Sequence, residues 1–271
     1  MGIHKHHARN AKRIMLFAVI VWIILGVEFF LEYRKDTLFR SGREHIKLLG
    51  VVVTASILSI YSFIERRRAK RIEQIIQEKE DTVLLEQKRF VMRKETGIFT
   101  TITYFGLNGS AIGILKEIYH THRQKVWKCI LSFFSKGTYE KQFYLYNQIG
   151  KEVLRIKKKR GIRNSYSFYH VDGEKIGELN QLLKLTKWEW IFLLSNGNEI
   201  GKVTGDLSAT LQKGIWRDGT YIDVKEGGIP LEAIQYFSAS GGSLITISVA
   251  EQTEIPKAVY YAVAALIMLK E

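Results

Sequence analysis

Two long apolar runs dominate the first quarter of the chain. Residues 14–31 contain one acidic and no basic side chain, and residues 48–64 contain no charge. A transmembrane helix needs about 20 mostly apolar residues, and neither run has the polar face of an amphipathic core helix. The pattern predicts a two-span transmembrane anchor over residues 1–65, with helices at about 14–32 and 47–64. A cleavable signal peptide is the competing interpretation of the first run, but that run lacks a small-x-small exit and a second apolar run follows it.

Basic residues flank both predicted spans. Four Lys or Arg residues lie between positions 5 and 13, five lie between 66 and 71, and five more lie in the loop from 34 to 47. Because Lys and Arg accumulate in cytoplasmic flanks, the two outer clusters favour a hairpin with both ends inside. The predicted location is the cell membrane, multi-pass, with cytoplasmic N- and C-termini.

The segment after the second span favours a helix. Residues 65–96 contain no Gly or Pro and are rich in Glu, Gln, Lys, Arg and Ile, which are good helix formers or are tolerated in helices. We therefore predict a helical cytosolic linker over residues 66–96. It is interpreted either as a solvated stalk or as a helix that pairs with a partner through Ile72, Ile75 and Ile76.

From residue 97 onward the pattern becomes one of strands and turns. The turn sequence [ND]-G-x-x-I-G occurs three times, and two looser copies accompany it. Asn-Gly and Asp-Gly favour tight hairpin turns because glycine readily adopts a positive φ. Residues 97–271 are therefore predicted to form about five hairpins in an antiparallel barrel or sandwich. The five copies begin at Asn108, Gly150, Asp172, Asn196 and Gly228.

The chain ends in a short helix-like segment that is apolar on every face. Residues 258–269 read AVYYAVAALIML, which is too short to span a bilayer. A helix that is hydrophobic all round must be buried, and the β domain is the nearest structure that can bury it. A closed barrel with this helix through its middle meets both requirements.

These features together resemble the tubby C-terminal-like superfamily, which includes LURP-one-related proteins and phospholipid scramblases. The resemblance covers about residues 98–271 and rests on the segments 143–153 and 166–173 and on the helix at 258–269. In that superfamily a twelve-stranded barrel wraps a hydrophobic C-terminal helix, so the resemblance implies the same fold here. Neither a scramblase calcium site nor the eukaryotic phosphoinositide-binding residues can be placed in this chain position by position.

The amino-acid composition limits the kinds of partner that the chain is expected to bind. The chain has 41 Lys and Arg residues against 27 Asp and Glu, a net charge of +14, which favours an anionic partner. A single cysteine, Cys129, excludes an internal disulfide framework and is interpreted as a small buried hydrophobe. No phosphate-binding glycine loop is present, and no cofactor is predicted.

The strongest candidate for binding is a cluster of five cations within residues 157–163. It falls where a predicted strand ends and a loop begins, and its charges can attract phosphate-bearing headgroups. The competing interpretations are a solubilising loop and a nucleic-acid site, and no recognised nucleic-acid motif supports the second. The predicted lipid-binding residues are Lys157, Lys158, Lys159, Arg160 and Arg163 in this loop and Arg66, Arg67 and Arg68 after the second span.

Other candidate chemistry is weak. His4, His6 and His7 resemble a metal tract but lack acidic or cysteine partners nearby, and His120 and His122 have a spacing that would permit chelation on a strand. Surface placement is the commoner explanation for both groups. No Ser-His-Asp order, zinc-protease motif or paired carboxylates stand out, so no metal site, no catalytic residue and no enzymatic activity are predicted.

The sequence thus predicts a membrane-anchored α+β protein: a two-helix transmembrane hairpin followed by a mostly antiparallel β-barrel that encloses a hydrophobic C-terminal helix. We expect a non-enzymatic binding or regulatory module whose partners are the bilayer and anionic phospholipid, with no nucleic acid. The alternatives are a scaffold for an unknown protein partner and, by family analogy alone, phospholipid scrambling.

Overall fold

The chain divides into two compact units, a helical unit over Gly2–Gln77 and a barrel unit over Glu78–Glu271. Each unit is described by itself. A computed structural model describes residues 3–34, 42–75, 83–95, 99–119, 139–161, 163–183, 187–205, 210–234, 236–237 and 242–269.

The helical unit contains α1 (Ile3–Arg34) and α2 (Gly42–Ile75), which pack along each other. Small buried side chains at a seven-residue spacing line the seam, Ala11 and Ala18 on α1 and Ala55 and Ser62 on α2. Residues seven apart return to the same face of a helix. The Ser62 hydroxyl donates a hydrogen bond of 2.9 Å to the Ala11 carbonyl oxygen, which fixes the register of the two helices.

The outer surface of the helical pair is apolar. Phe17, Ile23 and Phe30 on α1 are each about 60% exposed. The stretches Ala8–Leu31 and Leu49–Arg67 are long and apolar enough to cross a membrane, which confirms the two predicted apolar helices. This composition indicates membrane association of the unit.

The described residues of the barrel unit form twelve antiparallel strands in one closed sheet, as β1 pairs with both β2 and β12. Every other strand pairs with its neighbours in sequence. The closed antiparallel β-barrel is thus confirmed. The strands are β1 (Arg89–Lys94), β2 (Thr101–Phe105), β3 (Ala111–Glu117), β4 (Lys141–Asn147), β5 (Glu152–Lys158), β6 (Ser165–Tyr169), β7 (Lys175–Leu183), β8 (Trp188–Leu194), β9 (Glu199–Gly205), β10 (Leu211–Trp216), β11 (Tyr221–Glu226) and β12 (Ser243–Ser248).

The first strand lies inside the segment that the sequence assigned to a helical linker. The helix α2 does continue to Ile75, and a short 3-10 helix occupies Leu84–Glu86. The helix prediction is wrong for residues 89–94, which form β1. Phe90 and Met92 alternate into the core and are fully buried, and the edges of β2 and β12 supply the backbone hydrogen bonds. Barrel closure therefore outweighs the local helix propensity.

Five similar turns connect consecutive strands at one end of the barrel. Each has a hydrogen bond from its fourth residue to its first and a glycine of positive φ at the fourth position, as a type I turn followed by a glycine bulge requires. Four of the five predicted turn glycines have this role. The looser copy at Gly228 forms no tight turn: it lies in the long connection between β11 and β12 and precedes α3 (Leu231–Ile234). The fifth tight turn lies at Asp218-Gly219, which was not predicted. The turn glycines are Gly109, Gly150, Gly173, Gly197 and Gly219.

The last helix, α4 (Lys257–Met268), lies within the barrel core, as predicted for 258–269. Ten of its twelve residues are buried. Its length of about 18 Å matches strands of five to nine residues, each rising about 3.3 Å per residue. The helix therefore fills the barrel, and inward side chains from all twelve strands complete the core.

Tyrosine hydroxyls connect α4 to the wall. The Tyr104 hydroxyl donates to the Tyr261 carbonyl oxygen at 3.1 Å, and the Tyr261 hydroxyl donates to the Gln87 carbonyl oxygen at 2.9 Å. The Tyr260 hydroxyl donates to the Asp218 carboxylate in the β10–β11 turn. Burial raises the pKa of Tyr261 to about 12, and burial followed by the Asp218 carboxylate raises the pKa of Tyr260. All three hydroxyls therefore remain protonated donors at neutral pH.

Replacing Tyr104 by Phe tests the fit between α4 and the wall. The substitution removes the hydrogen bond from the Tyr104 hydroxyl to the Tyr261 carbonyl oxygen, so we expect Tyr104→Phe to lower the free energy of unfolding by about 1 kcal/mol. Tyr144 is a half-buried tyrosine on the outer face of β4, and Tyr144→Phe should change stability by less than about 0.5 kcal/mol. Thermal unfolding of the full chain, followed by tryptophan fluorescence, measures both. Equal effects would contradict the placement of Tyr104 against α4.

Candidate functional site

The two ends of the barrel differ in their connections. The end described above carries the five tight turns, whereas the opposite end carries longer connections, such as residues 159–164 between β5 and β6 and 227–242 between β11 and β12. The predicted basic cluster lies at this second end. We call residues 159–164 the basic loop, and it is the connection on which the candidate site is built.

The alternation of β5 divides the predicted cations between two sides of the wall. Leu154, Ile156 and Lys158 point inward and are buried, and Lys158 has no exposed surface. Lys157 points outward and is exposed. The sequence analysis grouped Lys158 with the surface cations, but the structure places it inside the barrel, where it is shielded from any membrane surface. Side chains alternate between the two faces of a strand, and this alternation alone would have predicted that Lys158 points inward with Leu154 and Ile156.

Lys157 lies over an aromatic ring on the neighbouring strand. Its ammonium nitrogen is 5.1 Å from the ring centroid of Tyr169 on β6, within the range of a cation–π contact. The described residues give Lys157 no carboxylate partner within 4.0 Å. Its charge is thus oriented by a ring and remains available to an external anion.

Lys159 is held by an internal carboxylate. Its ammonium nitrogen is 2.9 Å from Glu178 Oε1 on β7, and the Lys175 ammonium nitrogen is 2.7 Å from the same oxygen. Partial burial on its own would raise the pKa of Glu178, but hydrogen bonds from Lys175 and Lys159, with their charges, overcome this effect and lower the pKa to about 2. Glu178 is therefore ionised at neutral pH and competes with any external anion for Lys159.

The two arginines of the basic loop are exposed. Within the described part of the chain, neither Arg160 nor Arg163 has a carboxylate partner. Gly161 between them has a φ of 155°, a value that side-chain-bearing residues rarely adopt. The loop then ends at Asn164, whose side-chain amide donates to Gln181 Oε1 on β7 at 3.0 Å. This hydrogen bond fixes one end of the loop. The loop also carries two guanidinium groups that have no carboxylate partner among the described residues.

A group of polar side chains lines the inside of the barrel at the same end. Lys141 on β4 lies directly opposite Lys158 on β5, and Glu117 on β3 accepts a hydrogen bond of 2.9 Å from the Thr100 backbone N–H through Oε2. All are at least 94% buried. Lys141, Glu117 and Thr100 were not predicted, and Lys158 was predicted on the surface, although strand alternation from Phe143 and Ile156 places both lysines on the inner face.

The second predicted cation group lies in the helical unit. Arg66 and Arg67 are exposed on α2, and the Arg67 guanidinium lies 4.5 Å from the ring centroid of Phe63. The side chain of Arg68 lies outside the described residues. These arginines follow the second apolar stretch, in the position at which basic residues meet lipid headgroups.

The side chains of the two histidine groups considered in the sequence fall outside the part of the chain that the structure describes. His120 and His122, together with Cys129, lie outside the described residues, as do the side chains of His4, His6 and His7. Among the side chains that the structure does describe, no group of three or more His, Cys, Asp or Glu could hold a metal ion. The arrangement at the basic loop can form ion pairs and hydrogen bonds with oxyanions.

Comparison of the chain with known protein families, with curated proteins and with solved structures found no match.

The ion pairs of Glu178 should make the free energy of unfolding depend on pH in the acid range. The pKa of Glu178 is lowered in the folded state. Its ion pairs therefore stabilise the fold at pH values above the unfolded-state pKa of about 4.5, and this stabilisation is lost as the pH falls toward about 2. We expect Glu178→Gln to lower stability by about 1 kcal/mol at pH 7 and to have no effect near pH 2. Glu174→Gln, an exposed change in the adjacent turn, is the control. Thermal midpoints of the three proteins across pH give the comparison, and a deficit of Glu178→Gln that persisted undiminished at pH 2 would contradict the ion-pair explanation.

Proposed function

We propose that the chain is a membrane-anchored, non-enzymatic binding module whose barrel contacts anionic phospholipid headgroups through the basic loop. The observation that carries this proposal is a set of exposed cations without carboxylate partners among the described residues, Arg160 and Arg163 in the basic loop and Lys157 at the adjoining end of β5. An arginine guanidinium can bind phosphate oxygens in pairs, and each basic residue near an anionic surface contributes about 1 kcal/mol of attraction.

The helical unit supports the membrane part of the proposal. Its two apolar stretches have spanning length, and its basic flanks favour cytoplasmic N- and C-termini in a multi-pass cell-membrane protein. Seven residues, 76–82, join α2 to the first described residue of the barrel unit, Val83. Because both units belong to one chain, contact of the barrel with the lipid around the anchor would be intramolecular, and weak contacts suffice for it.

Membership of the tubby C-terminal-like superfamily forms part of the same proposal. The twelve strands around an apolar helix are the architecture that the resemblance implies, and they support it without identifying a ligand. The proposal therefore rests on the cations of this chain and carries over no lipid-binding residue from the superfamily.

Charge reversal in the full chain tests the proposal. Lys157→Glu, Arg160→Glu and Arg163→Glu are combined, and the chain is reconstituted in nanodiscs of neutral or anionic lipid with a donor dye at Lys187→Cys in a Cys129→Ser background. Energy transfer to a headgroup acceptor measures how close the barrel lies to the surface. We expect the unreversed protein to show more transfer in anionic than in neutral discs at low salt, and the reversed protein to lose that difference.

A matched triple variant controls for net charge. Lys88→Glu, Lys94→Glu and Lys213→Glu also reverse three exposed cations, but on β10 and at the two ends of β1, away from the basic loop. This variant should retain most of the anionic-lipid effect. Salt should weaken the contact, because exposed charges are screened within about 10 Å at 0.1 M. Energy transfer that stayed the same with neutral and anionic lipid, at low and high salt and in both triple variants would contradict headgroup binding. It would favour the protein-interaction scaffold.

A further inference from the structure

One carboxylate on the outer face of the barrel holds two lysines, one of them in the basic loop. Lys175 and Lys159 place their ammonium nitrogens 2.7 Å and 2.9 Å from Glu178 Oε1. The Ser167 hydroxyl donates to the same oxygen at 3.2 Å. Because these contacts end on one oxygen, the two ammonium groups lie close to each other. Glu178 is therefore the shared counter-ion of two cations that would otherwise repel each other.

The two lysines face solvent, whereas the carboxylate is mostly shielded. The side chains of Lys159 and Lys175 are 56% and 41% exposed, and that of Glu178 is 18% exposed. An ammonium group has three N–H donors, so each lysine can contact an external anion from the solvent side. That anion meets the charge of two lysines reduced by the charge of Glu178.

These lysines belong to the same surface as the exposed cations of the proposed binding site. Lys157, Ser167 and Glu178 are cross-strand partners in one row over β5, β6 and β7, so they share the outer face. The surface thus contains cations of two kinds. Lys157 and the arginines of the basic loop have no carboxylate partner among the described residues, whereas Lys159 and Lys175 share one.

We propose that Glu178 is an internal competitor that makes this surface selective for phosphomonoester headgroups. The inference rests on the proposed function, adds Lys175 to its site and names the class of headgroup. A phosphodiester carries one negative charge, as Glu178 does, so exchange of one for the other on the two lysines gains little. A phosphomonoester carries a charge of about −1.5 to −2 at pH 7 and three acceptor oxygens, so it attracts both lysines more strongly than the carboxylate does.

The carboxylate is suited to this competition because its charge is constant and its position is fixed. Glu178 is ionised at neutral pH, since its pKa is lowered to about 2. The buried Ser167 hydroxyl holds Oε1, and strand pairing with Ser167 fixes the backbone of Glu178. Each basic residue near an anionic surface contributes roughly a fivefold gain in affinity, so one carboxylate shared by two lysines withholds about one such factor.

Neutralising Glu178 in the full chain tests the inference. Glu178→Gln removes the competing charge, and Glu174→Gln removes the same charge at an exposed position in the adjacent turn and is the matched control. Each protein carries the Lys187→Cys dye in a Cys129→Ser background. The nanodiscs contain phosphatidic acid, a phosphomonoester, or phosphatidylglycerol, a phosphodiester, at equal surface charge. Energy transfer to the headgroup acceptor gives the ratio of docked to undocked barrel.

The expected result is a change of lipid preference. With Glu178 in place, the ratio should be several-fold higher for phosphatidic acid than for phosphatidylglycerol. Glu178→Gln should raise the ratio for phosphatidylglycerol by about fivefold and narrow the preference, while Glu174→Gln should change both ratios by less than about twofold. Lys159→Gln combined with Lys175→Gln keeps Glu178 and should lose the preference, which a purely structural role of Glu178 does not require.

The outcomes separate this inference from the proposed function. Equal ratios for the two lipids in the presence of Glu178, or equal effects of Glu178→Gln and Glu174→Gln, would overturn the selectivity and leave headgroup binding by the exposed cations in place. A preference that persisted in the double lysine variant would also overturn it. Ratios that did not respond to anionic lipid in any of these proteins would overturn the proposed function as well. Thermal midpoints under the same conditions show that the compared barrels are folded.

Discussion

Burial of an apolar helix inside a sheet is the constraint on which the rest of the barrel unit depends. The helix α4 has no polar face, and ten of its twelve residues are buried, so it requires protein on every side. An open sheet would cover one face only. Closure by the twelve described strands surrounds the helix and pairs every one of their edges, and Phe90 from the wall stacks on Tyr261 of the helix with ring centroids 5.4 Å apart.

The same constraint decides which residues can have a binding role. Because the interior is filled, a strand contributes to function only through its outward side chains and its connections. This is why Lys157 and Lys158, neighbours in sequence, differ so completely in exposure. The basic loop, the outer tyrosines and the turn tips are among the surfaces that remain for partners.

Much of this fold follows from local sequence signals. The three repeated Asn-Gly and Asp-Gly turns, the two apolar runs and the all-apolar terminal helix each have a local physical cause, and each was found. The turn at Asp218-Gly219 has the same Asp-Gly signal but lacks the glycine that follows isoleucine in the repeat, and it was missed. The strand β1 could not be found in this way, because its Glu- and Lys-rich surroundings favour a helix and its partners β2 and β12 are remote in the sequence. The pairing of Lys159 with Glu178 is likewise a cross-strand contact, invisible to a count of nearby charges. Lys158 was within reach of sequence reasoning, through the alternation of Leu154 and Ile156.

Hydrogen exchange along α4 in the full chain tests the central claim most directly. If the helix is the core around which the barrel closes, its amides exchange only through global unfolding, and they should be among the slowest in the barrel unit, equal to those of the wall strands and far slower than those of the five turns. Exchange of the α4 amides faster than that of β4, β5 and β11 would show that the helix leaves the barrel without unfolding it, and would contradict the account.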